Sequence, residues 1–183
     1  MSNRNSNLWI ASTLLLPMAM LAYGSDVRMP AKKPNELSPE KQTSVTIGGK
    51  QIRIEYSAPS ARGRKVMGEV VPYGKVWRTG ADGATTLVTD ADLKFGSLNV
   101  PKGVYTVWTL PGENGWQLII NKQTHQWGTN YSEAQDLGRT PMQVKKAAPR
   151  EQMDIELKST GANSGELLVA WGDTVATAPF TVQ

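Results

Sequence analysis

The sequence predicts an all-β fold, an antiparallel β-sandwich or jelly-roll-like single domain that follows an N-terminal signal peptide. From Thr43 onward the apolar residues recur at every second position, which is the period of a strand with one buried face. Gly and Pro interrupt these runs at short intervals, and no long segment has the helical spacing of apolar residues. About nine short strands with such punctuation are typical of a sandwich or jelly roll.

Residues 1–24 have the three parts of a signal peptide. Arg4 supplies a positive start, residues 8–22 form an apolar run without charge, and residues 22–24 (AYG) place small residues where a signal peptidase reads them. The run is shorter than the roughly 20 apolar residues of a membrane span, and Pro17 interrupts it. We therefore expect cleavage before Ser25, export to the periplasm or the outside medium, and no stable membrane span after processing.

Residues 25–42 predict a flexible leader. This segment contains three prolines and closely mixed charges of both signs, with few large apolar residues. Such a segment cannot bury enough apolar surface to offset the entropy lost on ordering. The β-sandwich domain is therefore expected over residues 43–183, with no second domain.

The strands of this domain can be assigned in order. Residues 45–47 and 52–56 alternate apolar and polar side chains on either side of Gly48-Gly49-Lys50, which is the pattern of a β-hairpin. Pro179 cannot donate a hydrogen bond to a ladder, so we expect it at an edge or a bulge. One helical turn is expected at residues 132–137. The same alternation or a high content of β-branched residues predicts further strands at residues 85–90, 93–100, 104–110, 116–120, 153–157 and 167–171.

Composition excludes several function classes. The chain has 20 Lys and Arg against 16 Asp and Glu, a formal net charge of +4. These charges are interspersed, whereas nucleic-acid binding needs a concentrated basic face. The chain has no cysteine, which excludes disulfides, thiolate chemistry and zinc–thiolate sites. His125 is the single histidine, which disfavours a metal site of clustered imidazoles, so neither a metal nor a cofactor is expected.

Three stretches resemble a known family. They are residues 57–86, which include Val76-Trp77-Arg78-Thr79-Gly80-Ala81, then residues 101–105 (PKGVY), and residues 121–139 with Trp127-Gly128. Together they resemble the DUF2911 family, a group of exported bacterial proteins without an assigned activity, over roughly residues 45–182. The resemblance implies a fold and a location but no reaction. After Ala81 the family typically carries Asn-Glu, whereas this chain has Asp82-Gly83, so a glutamate that served the family's chemistry is lacking here.

The first functional hypothesis is a non-catalytic binding module for a small polar or carbohydrate-like ligand. Residues 76–83 combine an aromatic ring, a guanidinium, a hydroxyl and a carboxylate, the mixture that a binding loop uses. The basic residues 62–65 (RGRK) can fork onto a carboxylate or phosphate. The expected ligand contacts are Arg62, Trp77, Arg78, Thr79, Asp82, Asn121 and Trp127.

The same residues also have a purely structural interpretation. Residues 62–65 would then be a solvated loop, and Arg78 would pair with Asp82 or Asp136 inside a rigid turn. In that turn Gly80 and Gly83 would supply positive φ angles. On the binding interpretation Arg78→Ala abolishes ligand binding at an unchanged melting temperature, whereas a large loss of stability marks Arg78 as structural.

Tryptophans supply a possible stacking platform. Trp108, Trp116, Trp127 and Trp171 could together present faces to a sugar. Trp116 and Trp171 lie on the apolar parity of their strands, so we expect them in the core. Trp127 is the better candidate for an exposed ring, and Asn121 has the opposite parity to Trp116, so it is expected to face a second cleft or water.

Two rival functions remain open at this point. A hydrolase or isomerase of a sugar-like substrate would divide acid and base roles between Asp82 and Asp136. His125 is expected in an exposed turn, and no Gly-x-Ser-x-Gly nucleophile elbow accompanies it. An envelope-associated structural protein is the other rival, and it would have no concave polar pocket. The oligomeric state is not determined by the sequence.

Overall fold

The computed structural model describes residues 38–183. The predicted signal peptide (1–24) and the predicted leader up to residue 37 lie outside the described residues. Within them the prediction of an all-β fold is confirmed, because the only helical element is a single 3₁₀ turn at Glu133–Gln135. The strands are β1 (Glu40–Ile47), β2 (Lys50–Ser57), β3 (Ala81–Thr89), β4 (Leu93–Phe95), β5 (Leu98–Val100), β6 (Gly103–Leu110), β7 (Trp116–Asn121), β8 (Asp136–Gly161) and β9 (Ser164–Val182).

These strands form one antiparallel sheet in the order β1-β2-β3-β6-β7-β8-β9-β4-β5. The long strand β8 joins its two parts, because residues up to Met142 pair with β7 and residues from Gln143 onward pair with β9. The register shifts between Lys146 and Arg150, and again between Arg150 and Asp154. Such irregularities bend a strand and increase its twist, so β8 can serve both parts of the sheet.

Both edges of the sheet approach β8. On β1, the Thr43 Oγ1 atom accepts a hydrogen bond of 3.2 Å from the Leu157 amide of β8. On β5, the Leu98 side chain lies so close to Gly138 of β8 that a Cβ at Gly138 would be 2.5 Å from it. These contacts are consistent with a sandwich of two layers. The main core between them includes Ile52, Ile54, Leu118, Ile120, Met153, Trp171 and Phe180.

On β3, β6 and β7, the face of the sheet that points away from the main core is covered by a loop. We call residues 122–132 the covering loop. Its Gln126 carbonyl accepts a hydrogen bond from the Ala84 amide of β3. Its Tyr131 ring lies 5.0 Å from the Trp108 ring, in a second apolar cluster with Ala84 and Ile119. The sheet therefore buries side chains on both faces here, which simple alternation of apolar and polar residues does not predict.

Several segments differ from the sequence prediction, among them β9, which spans Ser164–Val182 although only residues 167–171 were predicted. The strand predicted at 93–100 is a hairpin, because β4 and β5 pair with each other around Gly96, whose φ is +58°. The first strand begins at Glu40 rather than at Thr43. Its start is held by a hydrogen bond from the Ala58 amide to the Pro39 carbonyl. The composition of residues 25–42 alone does not predict this contact, because Ala58 lies outside that segment.

The greatest difference is the 26-residue strand β8, of which only residues 153–157 were predicted. Residues 143–151 are exposed and mostly polar, so they carry no apolar alternation. Their extended conformation comes instead from pairing with β9. Pro179 is exposed and lies between the part of β9 that pairs with β8 and the part that pairs with β4, as expected for a residue without an amide hydrogen.

Candidate functional site

Arg78, Asp82 and Trp127 lie close together where the covering loop meets the start of β3. The amide of Gly128 donates a hydrogen bond of 3.0 Å to the Asp82 carbonyl, and Trp127 forms a β-bridge with Gly83. The Arg78 side chain passes directly under this backbone, because a Cβ at Gly128 would lie 1.9 Å from the Arg78 Cδ atom. Three of the seven predicted ligand contacts thus share one location.

Arg78 is partly buried, and burial lowers the pKa of its guanidinium while the nearby Asp82 carboxylate opposes that shift. Its Nε atom is buried and has no hydrogen-bond partner among the described residues. Of the two acids proposed to pair with Arg78, Asp82 is the one whose charge acts on it. Arg78 is thus a partly buried cation that lies under a loop and whose charged form the nearby Asp82 carboxylate supports.

The backbone around this pair has unusual conformations at residues other than glycine. Thr79 and Asp82 have φ angles of +53° and +58°, while Gly80 and Gly83, expected to supply positive φ, do not have it. Gly80 is needed for a different reason, since a Cβ there would lie 3.1 Å from the Ser57 carbonyl oxygen. Positive φ at a threonine costs energy that its surroundings must offset.

The hydrogen bonds of Thr79 show how this conformation is held. Thr79 is fully buried, its hydroxyl lies 3.1 Å from the Thr109 hydroxyl, and its carbonyl accepts a hydrogen bond of 2.8 Å from Thr85. Its side chain is enclosed by the protein rather than presented to a ligand.

Trp77 also packs inward. Its ring stacks on Trp171 with centroids 6.0 Å apart and meets the edge of Trp116 at 6.3 Å. Its indole N–H donates to the Gly80 carbonyl at 3.1 Å. Trp116 and Trp171 are buried, as predicted. Trp77 therefore joins a tryptophan cluster at the core, and Trp171 covers one face of its ring.

Trp108, Trp127 and His125 complete the aromatic and imidazole candidates. Trp108 is buried under the covering loop, so the four-tryptophan platform considered above is not formed. Trp127 is partly buried. His125 is exposed, as predicted, with a φ of +62°, and its Nδ1 atom lies 3.0 Å from the neighbouring Thr124 hydroxyl.

Asn121 ties the covering loop to Asp136. It is 0% exposed, which corrects the expectation that it faces water or a second cleft. Its amide nitrogen donates to the Ser132 carbonyl and to Asp136 Oδ1, both at 2.9 Å, and its oxygen accepts from the Gln123 amide. The face is opposite to that of Trp116, as the parity indicates, but the covering loop encloses it.

The second Asp136 oxygen is also occupied. Oδ2 accepts hydrogen bonds from the Tyr131 hydroxyl at 2.8 Å and from the Arg139 Nε and Nη2 atoms at 3.0 and 2.9 Å. Burial and the Asp136 carboxylate together raise the pKa of Tyr131 to about 12. Tyr131 and Arg139 therefore hold the Asp136 carboxylate in place beside the end of the covering loop.

The raised pKa of Tyr131 leads to a prediction about pH. A tyrosine whose pKa is about 10 when unfolded and about 12 when folded stabilises the fold fully below the lower value and loses this effect as pH rises through the higher one. We expect Tyr131→Phe to be less stable than the parent at neutral pH, with the difference shrinking between these two pH values. Urea unfolding at a series of pH values measures it, and a difference independent of pH would contradict the hydrogen bond from Tyr131 to Asp136.

Arg62 lies in a different region, on a loop of residues 58–72 that we call the basic loop. Arg62 and Gly63 have φ angles of +53° and +71°. The Arg62 amide donates a hydrogen bond of 2.7 Å to Glu151 Oε1, and the Ala61 amide donates to the Glu151 carbonyl at 2.8 Å. Buried Val66 and Met67 anchor the loop in the core. The basic loop is thus held against the bend of β8.

An open cleft of about 490 Å³ lies between the basic loop and β8. Its floor is formed by the buried apolar side chains of Ala61, Val66 and Met67, with Gly172 beside them. A Cβ at Gly172 would lie 3.1 Å from Val66, and its φ is +55°, so this glycine permits the close approach of β9. The rim residues are Gly63, Arg64, Lys65, Tyr73, Lys146, Pro149, Arg150, Glu151 and Asp173.

The charges around this cleft are unequal. Four cationic side chains line it against the two carboxylates of Glu151 and Asp173. Lys146 pairs with Asp173 at 2.7 Å, and Arg150 lies 3.3 Å from each of two acids on β8, Asp154 and Glu156. Arg64 and Lys65 remain on the opposite wall, without an acidic partner among the described residues. Within the described residues, the cleft therefore has two cations without ion-pair partners on one wall and an apolar floor.

Sequence reasoning found one wall of this cleft and missed the other. The cluster at residues 62–65 was a candidate, but of the seven predicted contacts only Arg62 lies on this loop, and the residues lining the cleft are its neighbours Gly63, Arg64 and Lys65. The second wall comes from β8 and β9, more than 80 residues later in the chain. No local pattern links segments that far apart.

The described residues show neither a metal cluster nor a spanning helix. In the part of the chain from 38 to 183, no group of three or more His, Cys, Asp or Glu side chains could hold a metal ion. Over the same residues no helix has the length and apolar character needed to cross a membrane.

Comparison with known protein families gives a match over most of the chain. A family model described as a protein of unknown function, DUF2911, matches residues 38–180. These residues include both the basic loop and the covering loop. No curated protein and no solved structure matches the chain.

Proposed function

The chain belongs to the DUF2911 family of proteins of unknown function, and we propose that this member is a non-catalytic binding module that holds a small polar ligand in the cleft between the basic loop and β8. The observation that carries the proposal is the cleft itself. Its volume of about 490 Å³ lies within the range of small-molecule sites, which combine apolar walls with a few placed polar groups. Carbohydrate-like ligands belong to the same size class.

The walls of the cleft are formed in advance, which favours binding. Within the basic loop the Gly68 amide donates to the Val71 carbonyl, and the Val71 amide donates to the Val66 carbonyl, both at 2.9 Å. The Met153 amide donates to the Pro59 carbonyl and ties the loop to β8. A ligand that enters a preformed site does not spend binding energy on ordering it.

The hydrolase alternative finds less support. Asp136 accepts four hydrogen bonds through its two oxygens, from Asn121, Tyr131 and Arg139. Asp82 is coupled to Arg78 under the covering loop. A general acid or base must reach its substrate, and both oxygens of Asp136 are engaged by structural partners.

Export is part of the same proposal. The positive start, apolar run and small residues of the first 24 residues support it. A binding module in the periplasm or outside the cell would meet small polar molecules there.

Removal of the Tyr73 ring tests whether the cleft binds a small molecule. Tyr73 lines the rim and is 37% exposed, and Val144, at 40%, is exposed but does not line the cleft. We expect at least one of four probes, inorganic phosphate, citrate, D-glucose and N-acetylglucosamine, to shift the NMR signals of Gly63, Lys65 and Gly172 at millimolar concentration. Tyr73→Ala should weaken that binding about tenfold, or about 1.4 kcal/mol, and Val144→Ala should leave it unchanged.

Two outcomes of this experiment would contradict the proposal. If none of the four probes shifts these signals in the protein as expressed, or if Val144→Ala weakens binding as much as Tyr73→Ala, the cleft is not a binding site. The melting temperatures of both variants serve as the check that the fold is intact.

A further inference from the structure

We propose that the ligand is anchored by an oxyanion, a carboxylate or a phosphate, which binds to the outer fork of the Arg64 guanidinium and pairs with Lys65. This inference rests on the proposed function, because it names the ligand class of the same cleft. The sequence indicates residues 62–65 as a cluster that can fork onto a carboxylate or phosphate, with Arg62 as the expected contact, and the evidence for Arg64 is the way that its side chain is held.

The side edge of the Arg64 guanidinium is already occupied by the protein. Its Nε atom donates a hydrogen bond of 2.9 Å to the Ala61 carbonyl, and its Nη2 atom donates another of 2.9 Å to the Ser60 carbonyl. Two bonds to fixed backbone oxygens set both the position and the plane of the group. An arginine on an exposed loop ordinarily loses side-chain entropy when it binds a ligand, but here much of that loss has already occurred.

The remaining donors of Arg64 form the outer edge. A guanidinium has five N–H groups, of which two point to the carbonyls of Ala61 and Ser60. The N–H groups of Nη1 and the second N–H of Nη2 have no acceptor among residues 38–183. One N–H from each of these atoms points outward in parallel, which is the geometry that accepts two oxygens of a carboxylate or phosphate.

The other charges of the cleft do not compete for this fork. Glu151 Oε1 accepts a hydrogen bond from the Arg62 amide, and Asp173 is paired with Lys146 at 2.7 Å. Lys65, next to Arg64, has no acidic partner among the described residues, so it can add a point charge to the bidentate contact. The anion would therefore enter a region where Arg64 and Lys65 have no ion-pair partner among the described residues, where Asp173 is paired with Lys146, and where one Glu151 oxygen is held by the Arg62 amide.

The floor of the cleft defines the rest of the ligand. Ala61, Val66 and Met67 are at most 8% exposed and are apolar, and the Tyr73 ring lies at the rim. An apolar surface beside a fixed cation favours a molecule with an anionic head and an apolar or aromatic body. A highly hydroxylated neutral sugar would leave the fork without an oxyanion.

Arg64→Lys is the decisive variant, because it keeps the charge and removes the fork. The probes are inorganic phosphate and benzoate as oxyanions and D-glucose as the neutral comparison, each titrated by NMR at fixed ionic strength. We expect phosphate or benzoate to bind, and Arg64→Lys to weaken that binding about tenfold or more, as for the loss of a charged hydrogen bond. Lys65→Ala should weaken it less and reduce its salt dependence. Lys122→Ala, an exposed lysine outside the cleft, is the matched control and should have no effect.

Each outcome separates this inference from the proposed function. If benzoate binds more tightly than phosphate, the oxyanion is a carboxylate on an apolar body, and the reverse order indicates a phosphate. If D-glucose shifts the cleft signals and neither oxyanion does, the oxyanion inference fails while the binding function stands. If oxyanions bind the Arg64→Lys variant as tightly as the parent protein, the bidentate contact of Arg64 is ruled out and charge attraction alone explains the binding. If no probe, including those named above, shifts the cleft signals, both proposals fail.

Discussion

Replacement of Asp82 by asparagine should lower the free energy of unfolding by about 1–3 kcal/mol, because it removes the carboxylate whose charge supports the partly buried Arg78 guanidinium. The Asp82 carboxylate supports the charged form of Arg78, whose pKa burial already lowers. Asparagine has nearly the same shape and tolerates the positive φ of +58° at this position. The loss should therefore come from charge and not from backbone strain. Urea unfolding followed by circular dichroism measures it.

A double-mutant cycle provides the control for this prediction. Arg78→Met removes the guanidinium and keeps much of its apolar length under Gly128, and the double variant Arg78→Met/Asp82→Asn should be more stable than the sum of the two losses predicts. Asp82→Ala should cost more than Asp82→Asn, because alanine lacks the tolerance for positive φ. Additive losses from Arg78→Met and Asp82→Asn would show that the two charges do not interact. A melting temperature unchanged by either would favour the ligand role first considered for Arg78.

Replacement of Trp171 by alanine should lower the free energy of unfolding by about 3–5 kcal/mol, the range for a large aromatic residue removed from a core. Trp171 is 2% exposed and stacks on Trp77 with ring centroids 6.0 Å apart. Its indole N–H donates a hydrogen bond of 3.1 Å to the carbonyl of Glu151, which lies at the rim of the cleft. The substitution would leave a cavity in the core and a carbonyl without this partner.

Trp171→Phe should have a smaller effect. The phenyl ring keeps part of the stacking surface and leaves a smaller cavity than alanine does, but it lacks the N–H group, so we expect a loss of about 1–3 kcal/mol. Thermal and urea unfolding of both variants measure the losses. If Trp171→Ala cost less than Tyr131→Phe, a substitution that removes only a hydroxyl group, the tryptophan cluster would not support the core.

The hairpin of β1 and β2 shows where sequence reasoning works well. Its alternation and its Gly48-Gly49 turn are local features, and both glycines have the positive φ that such turns require. Trp116 and Trp171 were assigned to the core from parity alone, and both are buried. In these elements the neighbouring residues in the chain already determine which side faces the core.

Asn121 and β8 show where prediction from the sequence fails. Parity correctly placed Asn121 on the face opposite to Trp116, but only the fold shows that the covering loop encloses that face. Most of β8 carries no apolar alternation, because its extended form depends on pairing with β9. In both cases a distant segment decides the environment of the residue.

The candidate site divides in the same way. A basic cluster at residues 62–65 is visible in the sequence, but the cleft beside it needs β8 and Gly172 as its other side. Trp77, Arg78 and Thr79 look like a binding loop because they combine aromatic, charged and hydroxyl groups. In the fold the ring joins the tryptophan cluster, the guanidinium lies under Gly128, and the hydroxyl is buried.

The amino-acid sequence by itself determined the all-β class, the first hairpin and the core parity of the tryptophans, because each depends on residues within a few positions of one another. Tertiary structure alone decided which polar residues are exposed and which are enclosed. Burial of a side chain depends on segments that pack against it from far along the chain. The same chemical group, a guanidinium, is therefore covered by a loop at Arg78 and keeps an unoccupied outer edge at Arg64.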